Sequence, residues 1–134
     1  MQIRVGVLLL LALACAPGLS AERPNIVVIF MDDLGYSDLR IEGAPDVRTP
    51  NLDRLARESV RLTQCYAAAP VCTPTRAAFM TGRYQHRVGL ESVISASIGT
   101  GHQGLSPEEP TLPRYLRDAG YATALVGKWH LGSK

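Results

Sequence analysis

The run Asn25–Met31, "NIVVIFM", is apolar and mostly β-branched, with no polar alternation. A strand with one face in water alternates, so an unbroken run of this kind is expected to be buried on both faces, inside a parallel sheet covered by helices. It stops abruptly at "DDLG". A second run with a polar end, "YATALVGKWHLG" from Tyr121 to Gly132, is expected to be another buried strand. Between them lie helix signals. "TPNLDRLARESVRL" has Thr49 as a cap, Pro50 at the first helical position, and Leu52, Leu55, Ala56 and Val60 on one face. "TRAAFMTG" predicts a helix over Pro74–Thr81 that closes near Gly82, and "TLPRYLRDAG" a third that ends at Gly120. "RLTQCYAAA" fits a short strand, and Arg83–Pro110, rich in Gly, Ser and His, fits a long irregular excursion. This alternation argues for an α/β fold with a largely parallel sheet flanked by helices. In such sheets ligands gather beyond the carboxyl ends of the strands.

The first twenty residues carry one positive charge, Arg4, an apolar run from Val5 to about Ala14, and small residues Gly18 and Ser20 two apart. They are expected to be a secretory signal peptide, cut after Ser20 or Ala21. The run is too short for a membrane span of about 20 residues. The chain is therefore expected to be exported, to a periplasmic, extracellular or lysosome-like compartment, by the export machinery. Cys15, after "LALA", offers lipid attachment as a second reading, although Ala12 and Leu13 match a lipobox poorly. Without the signal, the formal charge of +2 loses Arg4 and becomes about +1, and basic and acidic residues are interspersed. Nothing in this pattern tracks a phosphate backbone, so nucleic acid is not expected as a partner. Cys65 and Cys72 remain, and in an oxidising compartment a disulfide between them is open.

Three polar clusters fall where an α/β sheet would gather them. Asp32 and Asp33 follow the first run; adjacent carboxylates ask for a neutralising cation, and hard oxygen donors suit Ca²⁺ or Mg²⁺. A turn cap beside a solvated aspartate explains them as well. Cys72 precedes a helix N-terminus, where free N–H groups favour negative charge, and Arg76 lies one turn on. A small buried thiol is the plainer reading. Lys128 stands out in a chain whose other basic side chains are nearly all arginine. In an extended segment Lys128 and His130 project to one side and Trp129 to the other, which suits an oxyanion and proton transfer. A surface lysine and a packed histidine are the alternative. His86 and His102 have no evident partners and read as structural or peripheral.

Taken together the clusters resemble the sulfatase family. "CTPTR", Cys72–Arg76, fits the family pattern Cys-x-Pro-x-Arg and is followed at the family's spacing by "MTGR". "DDLG" and "GKWHLG" match two further family motifs in the family's order, with "TPNLDRLA" between them. The resemblance runs from about Pro24 through the rest of the chain, so that 21–134 is similar to the N-terminal part of a sulfatase catalytic domain. Thr75, Met80 and Ser37 replace residues commoner in the family, and none of the three is a side chain the chemistry needs.

The resemblance implies an alkaline-phosphatase-like fold, incomplete in this segment, and a sulfuric ester hydrolase acting on a sulfated carbohydrate or aryl sulfate. It implies that a maturation enzyme oxidises Cys72 to formylglycine, an aldehyde whose hydrate attacks sulfur and whose second hydroxyl then helps expel sulfate. By the same resemblance Asp32, Asp33 and the modified Cys72 are Ca²⁺ ligands, Arg76 steadies the hydrated aldehyde, Lys128 binds sulfate oxygen, and His130 holds or deprotonates the diol. Further family ligands come from later segments, so the stretch reads as the front of a longer enzyme and is expected to be inactive alone. A phosphonate or phosphate ester hydrolase of the same superfamily, or a non-catalytic module that binds sulfated glycans, are the rival readings.

Overall fold

The computed structural model describes residues 23–94 and 104–132. The expected signal peptide, Cys15 and His102 lie outside the described residues. The chain divides into two compact units, 1–30 and 31–134.

In the first unit the apolar stretch Asn25–Phe30 forms no strand, and Val27 is 83% exposed. In the second, the Tyr121–Val126 stretch likewise pairs with no strand, and Val126 is 99% exposed. Both segments were expected as buried parallel strands, and the described residues form no parallel sheet. The physical reason is that a strand is defined by its ladder: its N–H and C=O groups need a partner strand, and its two apolar faces need covering helices. The one bridge among the described residues is antiparallel, between Gly104 and Gly132. A Cβ on Gly104 would lie 2.9 Å from the Gly132 Cα, so this approach needs glycine. "RLTQCYAAA" is likewise not a strand; it turns at Thr63–Gln64.

The helices form where the capping signals put them. Helix α1, Pro50–Glu58, starts at its proline. Thr49 is its N-cap residue as expected, but its hydroxyl, instead of capping a free N–H of the helix, accepts from the Arg40 N–H at 3.2 Å and donates to Asp53 Oδ1 at 2.9 Å. Asp53 also accepts from the Ile41 N–H at 3.1 Å, so a buried carboxylate ties α1 to the 3₁₀ turn Arg40–Glu42. Of the apolar stripe, Leu52 and Ala56 are half-buried whereas Leu55 and Val60 are exposed.

Helix α2 spans Cys72–Thr81 and starts two residues earlier than expected. Pro74 does not block this, because N–H groups of a first turn have no intrahelical acceptor to lose. The helix closes as expected at Gly82, in left-handed conformation with φ 66°, whose N–H reaches the Ala78 carbonyl at 2.9 Å. Helix α3 is Leu112–Asp118, and the expected excursion after Arg83 contains a 3₁₀ turn, Gln85–Val88. A small core of Ala77, Leu90 and Leu131, flanked by Met80, Val88, Ile94 and Leu105, lies under α2. Ala77 and Leu131 follow Arg76 and His130 directly, so the packed residues hold the polar ones in place.

Candidate active site

Cys72 is the first residue of α2, half-buried, with a free thiol. Cys65 is exposed and also free, so the disulfide left open by the sequence is not formed. Starting the helix at Cys72 puts its side chain beside the unpaired N–H groups of the first turn, where negative charge is favoured.

One turn on, Arg76 draws two distant segments to the helix. Its Nη1 donates to the Lys128 carbonyl at 2.7 Å and its Nη2 to Asp32 Oδ1 at 3.2 Å. The Lys128 ammonium donates to the other Asp32 oxygen at 2.8 Å. Asp32, Arg76 and Lys128, one from each predicted cluster, thus form one ion-paired group across sequence separations of 44 and 96 residues. The hydrogen bond from Lys128, then that from Arg76, holds the Asp32 carboxyl below the usual carboxylate range. The hydrogen bond to Asp32 raises Lys128 above the usual ammonium value, with a lesser contribution from the nearby Cys72. Arg76 is the most buried member at 11% side-chain exposure, whereas Asp32 and Lys128 stay 39% and 43% exposed.

His130 is reached from α2 by another route. Thr73 donates to the His130 carbonyl at 3.0 Å and accepts from the Ile94 N–H at 3.2 Å, while His130 Nε2 lies 3.0 Å from the Ile94 carbonyl. His130 does not sit in an extended segment as expected: its φ is 54°, in the left-handed region, which breaks the alternation that placed it beside Lys128. Asp33 has φ 58°. These two are the non-glycine residues with positive φ among the described residues, and both are sequence-predicted site residues. Such backbone is held only where surrounding contacts over-determine it, and it concentrates at functional positions. Asp33 is exposed next to Asp32. His86 stacks on Tyr84, with ring centroids 5.7 Å apart.

Among the described residues no group of three or more His, Cys, Asp and Glu side chains is arranged to hold a metal ion. The chemistry of the donors suits a hard cation in that Asp32 and Asp33 are adjacent carboxylates, while both Asp32 oxygens are engaged by Arg76 and Lys128. The set fits in kind and falls short in number. Sequence reasoning missed Thr73 and Ile94. Thr73 occupies a variable position of the Cys-x-Pro-x-Arg pattern, and its only signal is a hydroxyl in the first turn of the helix, which Thr75 shares.

A sulfatase family model matches residues 24–134. The chain belongs to the sulfatase family. Among its sulfatase relatives, mouse steryl-sulfatase is 52% identical over 132 residues, which cover 92% of this chain and 20% of the mouse protein. Human arylsulfatase A is 48% identical over 123 residues, covering 91% of this chain and 24% of its own length. A solved sulfatase from Bacteroides thetaiotaomicron, described with the metabolism of multiple glycosaminoglycans, superposes with a TM-score of 0.75 at 41% identity, covering 84% of this chain and 23% of that one. The chain spans about a fifth to a quarter of the length of these sulfatases. The structural likeness supports the fold class expected from the motifs, while the sheet itself is not assembled among the described residues. No described helix is long and apolar enough to cross a membrane.

Proposed function

We propose that this chain carries the nucleophile end of an exported sulfuric ester hydrolase, in which Cys72 is converted to formylglycine and Ca²⁺ is held in part by Asp32 and Asp33. The observation that carries this reading is the convergence on α2: Arg76, one turn from Cys72, binds both the Asp32 carboxylate and the backbone of Lys128. A maturation enzyme that reads Cys-x-Pro-x-Arg is the expected partner, and a sulfate ester of a carbohydrate or aryl alcohol the expected substrate.

When present, the aldehyde hydrate supplies the attacking oxygen and a second hydroxyl, and the metal lowers its pKa. The chain's own residues do the rest. Arg76 fixes Asp32 and the Lys128 backbone relative to the first turn of α2, so the cationic head of Lys128 is held where an anionic group can approach Cys72. Lys128 is charged throughout the neutral range, as any lysine is, and its hydrogen bond to Asp32 raises its pKa further. Its exposure leaves it free to exchange part of its contact with Asp32 for a sulfate oxygen. His130 is the proton-transfer group. Ca²⁺ takes about 6–8 oxygens, so two carboxylates leave most of its shell to other donors.

Assay of the complete, exported protein with matched aryl sulfate and aryl phosphate esters tests the reading. Preferential sulfate hydrolysis is expected. Preference for the phosphate or phosphonate ester would move the activity within the superfamily, and binding of sulfated glycan without turnover of either would show a non-catalytic module.

A further inference from the structure

We infer that Thr73 is a positioning residue for His130, and that the Thr73–Ile94–His130 ring of hydrogen bonds selects the imidazole tautomer with its free lone pair on Nδ1. The inference rests on the reading of His130 as the proton-transfer group.

Three contacts close a loop. The Ile94 N–H donates to Thr73 Oγ1 at 3.2 Å, the Thr73 hydroxyl donates its own hydrogen to the His130 carbonyl at 3.0 Å, and the His130 ring returns to Ile94 through Nε2 at 3.0 Å. A carbonyl oxygen can only accept, so the ring nitrogen facing Ile94 must carry the hydrogen. In the neutral ring Nδ1 is then the base nitrogen. Nδ1 is shielded from solvent and has no hydrogen-bond partner among the described residues. A solvent-shielded lone pair without a donor is costly unless a reacting or bound group meets it.

The hydroxyl is what the ring of contacts needs. Thr73 is fully buried, at 0% exposure, and its single oxygen serves as acceptor and donor at once, spanning segments 21 and 57 residues away. Valine has the same shape and can do neither. Without the bond from Thr73, no other hydrogen bond among the described residues holds the His130 carbonyl, and this residue sits at φ 54°, a conformation that relaxes when its restraints are removed. Serine keeps the oxygen and so keeps both bonds. Because Thr73 neighbours Cys72, the helix turn that presents the nucleophile is also the one that orients the base.

The test uses the complete protein and its Thr73→Val, Thr73→Ser, His130→Gln and Thr73→Val/His130→Gln variants, with rates normalised to the fraction of Cys72 converted, measured by peptide mass spectrometry. Thr73→Val is expected to lower kcat by about tenfold or more, bounded by the ~10²–10⁴ that a general acid or base supplies, with KM changed less than about twofold. Thr73→Ser is expected to restore most of the loss. The double variant is expected to be no slower than His130→Gln alone, because both changes remove the same function. Isotope-edited nitrogen NMR of the histidine ring, assigned by the signal lost in His130→Gln, is expected to show a bare Nδ1 and a protonated Nε2 in the parent, and a mixture of tautomers or a fast-exchanging ring in Thr73→Val. A parent His130 protonated on Nδ1 overturns the inference whatever the variants do, including if Thr73→Val fails to fold. Equal losses in Thr73→Val and Thr73→Ser, or losses that add to that of His130→Gln, overturn it as well. A parent with the expected tautomer that hydrolyses no sulfate ester supports the ring of contacts and removes the functional reading instead.

Discussion

Replacing Arg76 with methionine keeps the length of the side chain and removes every hydrogen-bond donor. Among the contacts that go are Nη1 to the Lys128 carbonyl at 2.7 Å and Nη2 to Asp32 at 3.2 Å. The second lies at a partly solvated carboxylate and is left out of the magnitude, because exposed ion pairs contribute little. The first is short, made by a charged donor that is 11% exposed, and a hydrogen bond of this type contributes about 1.5–3 kcal/mol. The end of this segment is held independently, by Leu131 in the core and by the Thr73–His130 and Leu105–Leu131 hydrogen bonds, whereas Lys128 itself is tied through Arg76 and Asp32. The lost energy should therefore appear as local opening around Gly127–Trp129, within the stretch 127–132. At about 1.4 kcal/mol per factor of ten, this opening should become roughly 10- to 100-fold more frequent. Hydrogen exchange of the complete protein, followed by mass spectrometry of peptides over residues 127–132, measures it directly. Peptides over α1, which is tied instead by Asp53 to Ile41, serve as the internal control. Arg76→Lys should fall between, since one ammonium lacks the planar fork that reaches two acceptors. Exchange over 127–132 unchanged within about twofold in Arg76→Met would refute the claim that Arg76 holds this segment to α2.

Peptide mass spectrometry of Val71–Arg76 from protein exported by a host with the maturation enzyme should show loss of the Cys72 thiol sulfur; a recovered Cys65–Cys72 disulfide would contradict both this and the free thiols of the fold. Cys72→Ala should leave the circular dichroism spectrum unchanged and abolish turnover. Lys128→Ala should lower kcat/KM for an aryl sulfate roughly ten- to a hundredfold, the worth of one charged hydrogen bond to the substrate, and an unchanged value would make Lys128 a surface lysine. Asp33→Gly should raise the thermal midpoint, because glycine relieves a left-handed backbone that costs other residues roughly 1–2 kcal/mol, while Ca²⁺ affinity measured by calorimetric titration of the complete protein falls; a lowered midpoint in the metal-free state would show that the Asp33 side chain is structural.

The helices were legible because their signals are local. Pro50, Gly82 and Thr111 act within one turn, and α1, α2 and α3 lie where these residues put them, with α2 two residues longer because a first-turn proline loses nothing. The convergence of Asp32, Arg76 and Lys128 could be anticipated for a related reason: "DDLG", "CTPTR" and "GKWHLG" each keep their polar groups within four to six positions, so each candidate cluster can be picked out without knowing what it faces. The sheet was not legible. "NIVVIFM" and "YATALVG" have strand composition, yet a ladder is a property of two segments and composition belongs to one, so these runs stand exposed where no described partner pairs with them.

What the amino-acid order determined by itself is therefore the family and the helix positions, and it singled out Asp32, Cys72, Arg76, Lys128 and His130 as the candidate set. What only the tertiary structure decided is how that set is wired. Arg76 turns out to grip a backbone carbonyl as well as Asp32, because the chain after Val126 comes to α2 at Lys128. His130 departs from the alternation that a strand would impose, because Gly127 at φ 110° and His130 at φ 54° bend the segment so that Leu131 can enter the core beside Ala77. Thr73 acquires a role that its place in the motif does not announce, because a buried hydroxyl must find both a donor and an acceptor, and these come from residues 21 and 57 positions away. Contacts at such separations depend on where the backbone is carried, and that is settled by packing and not by any single motif.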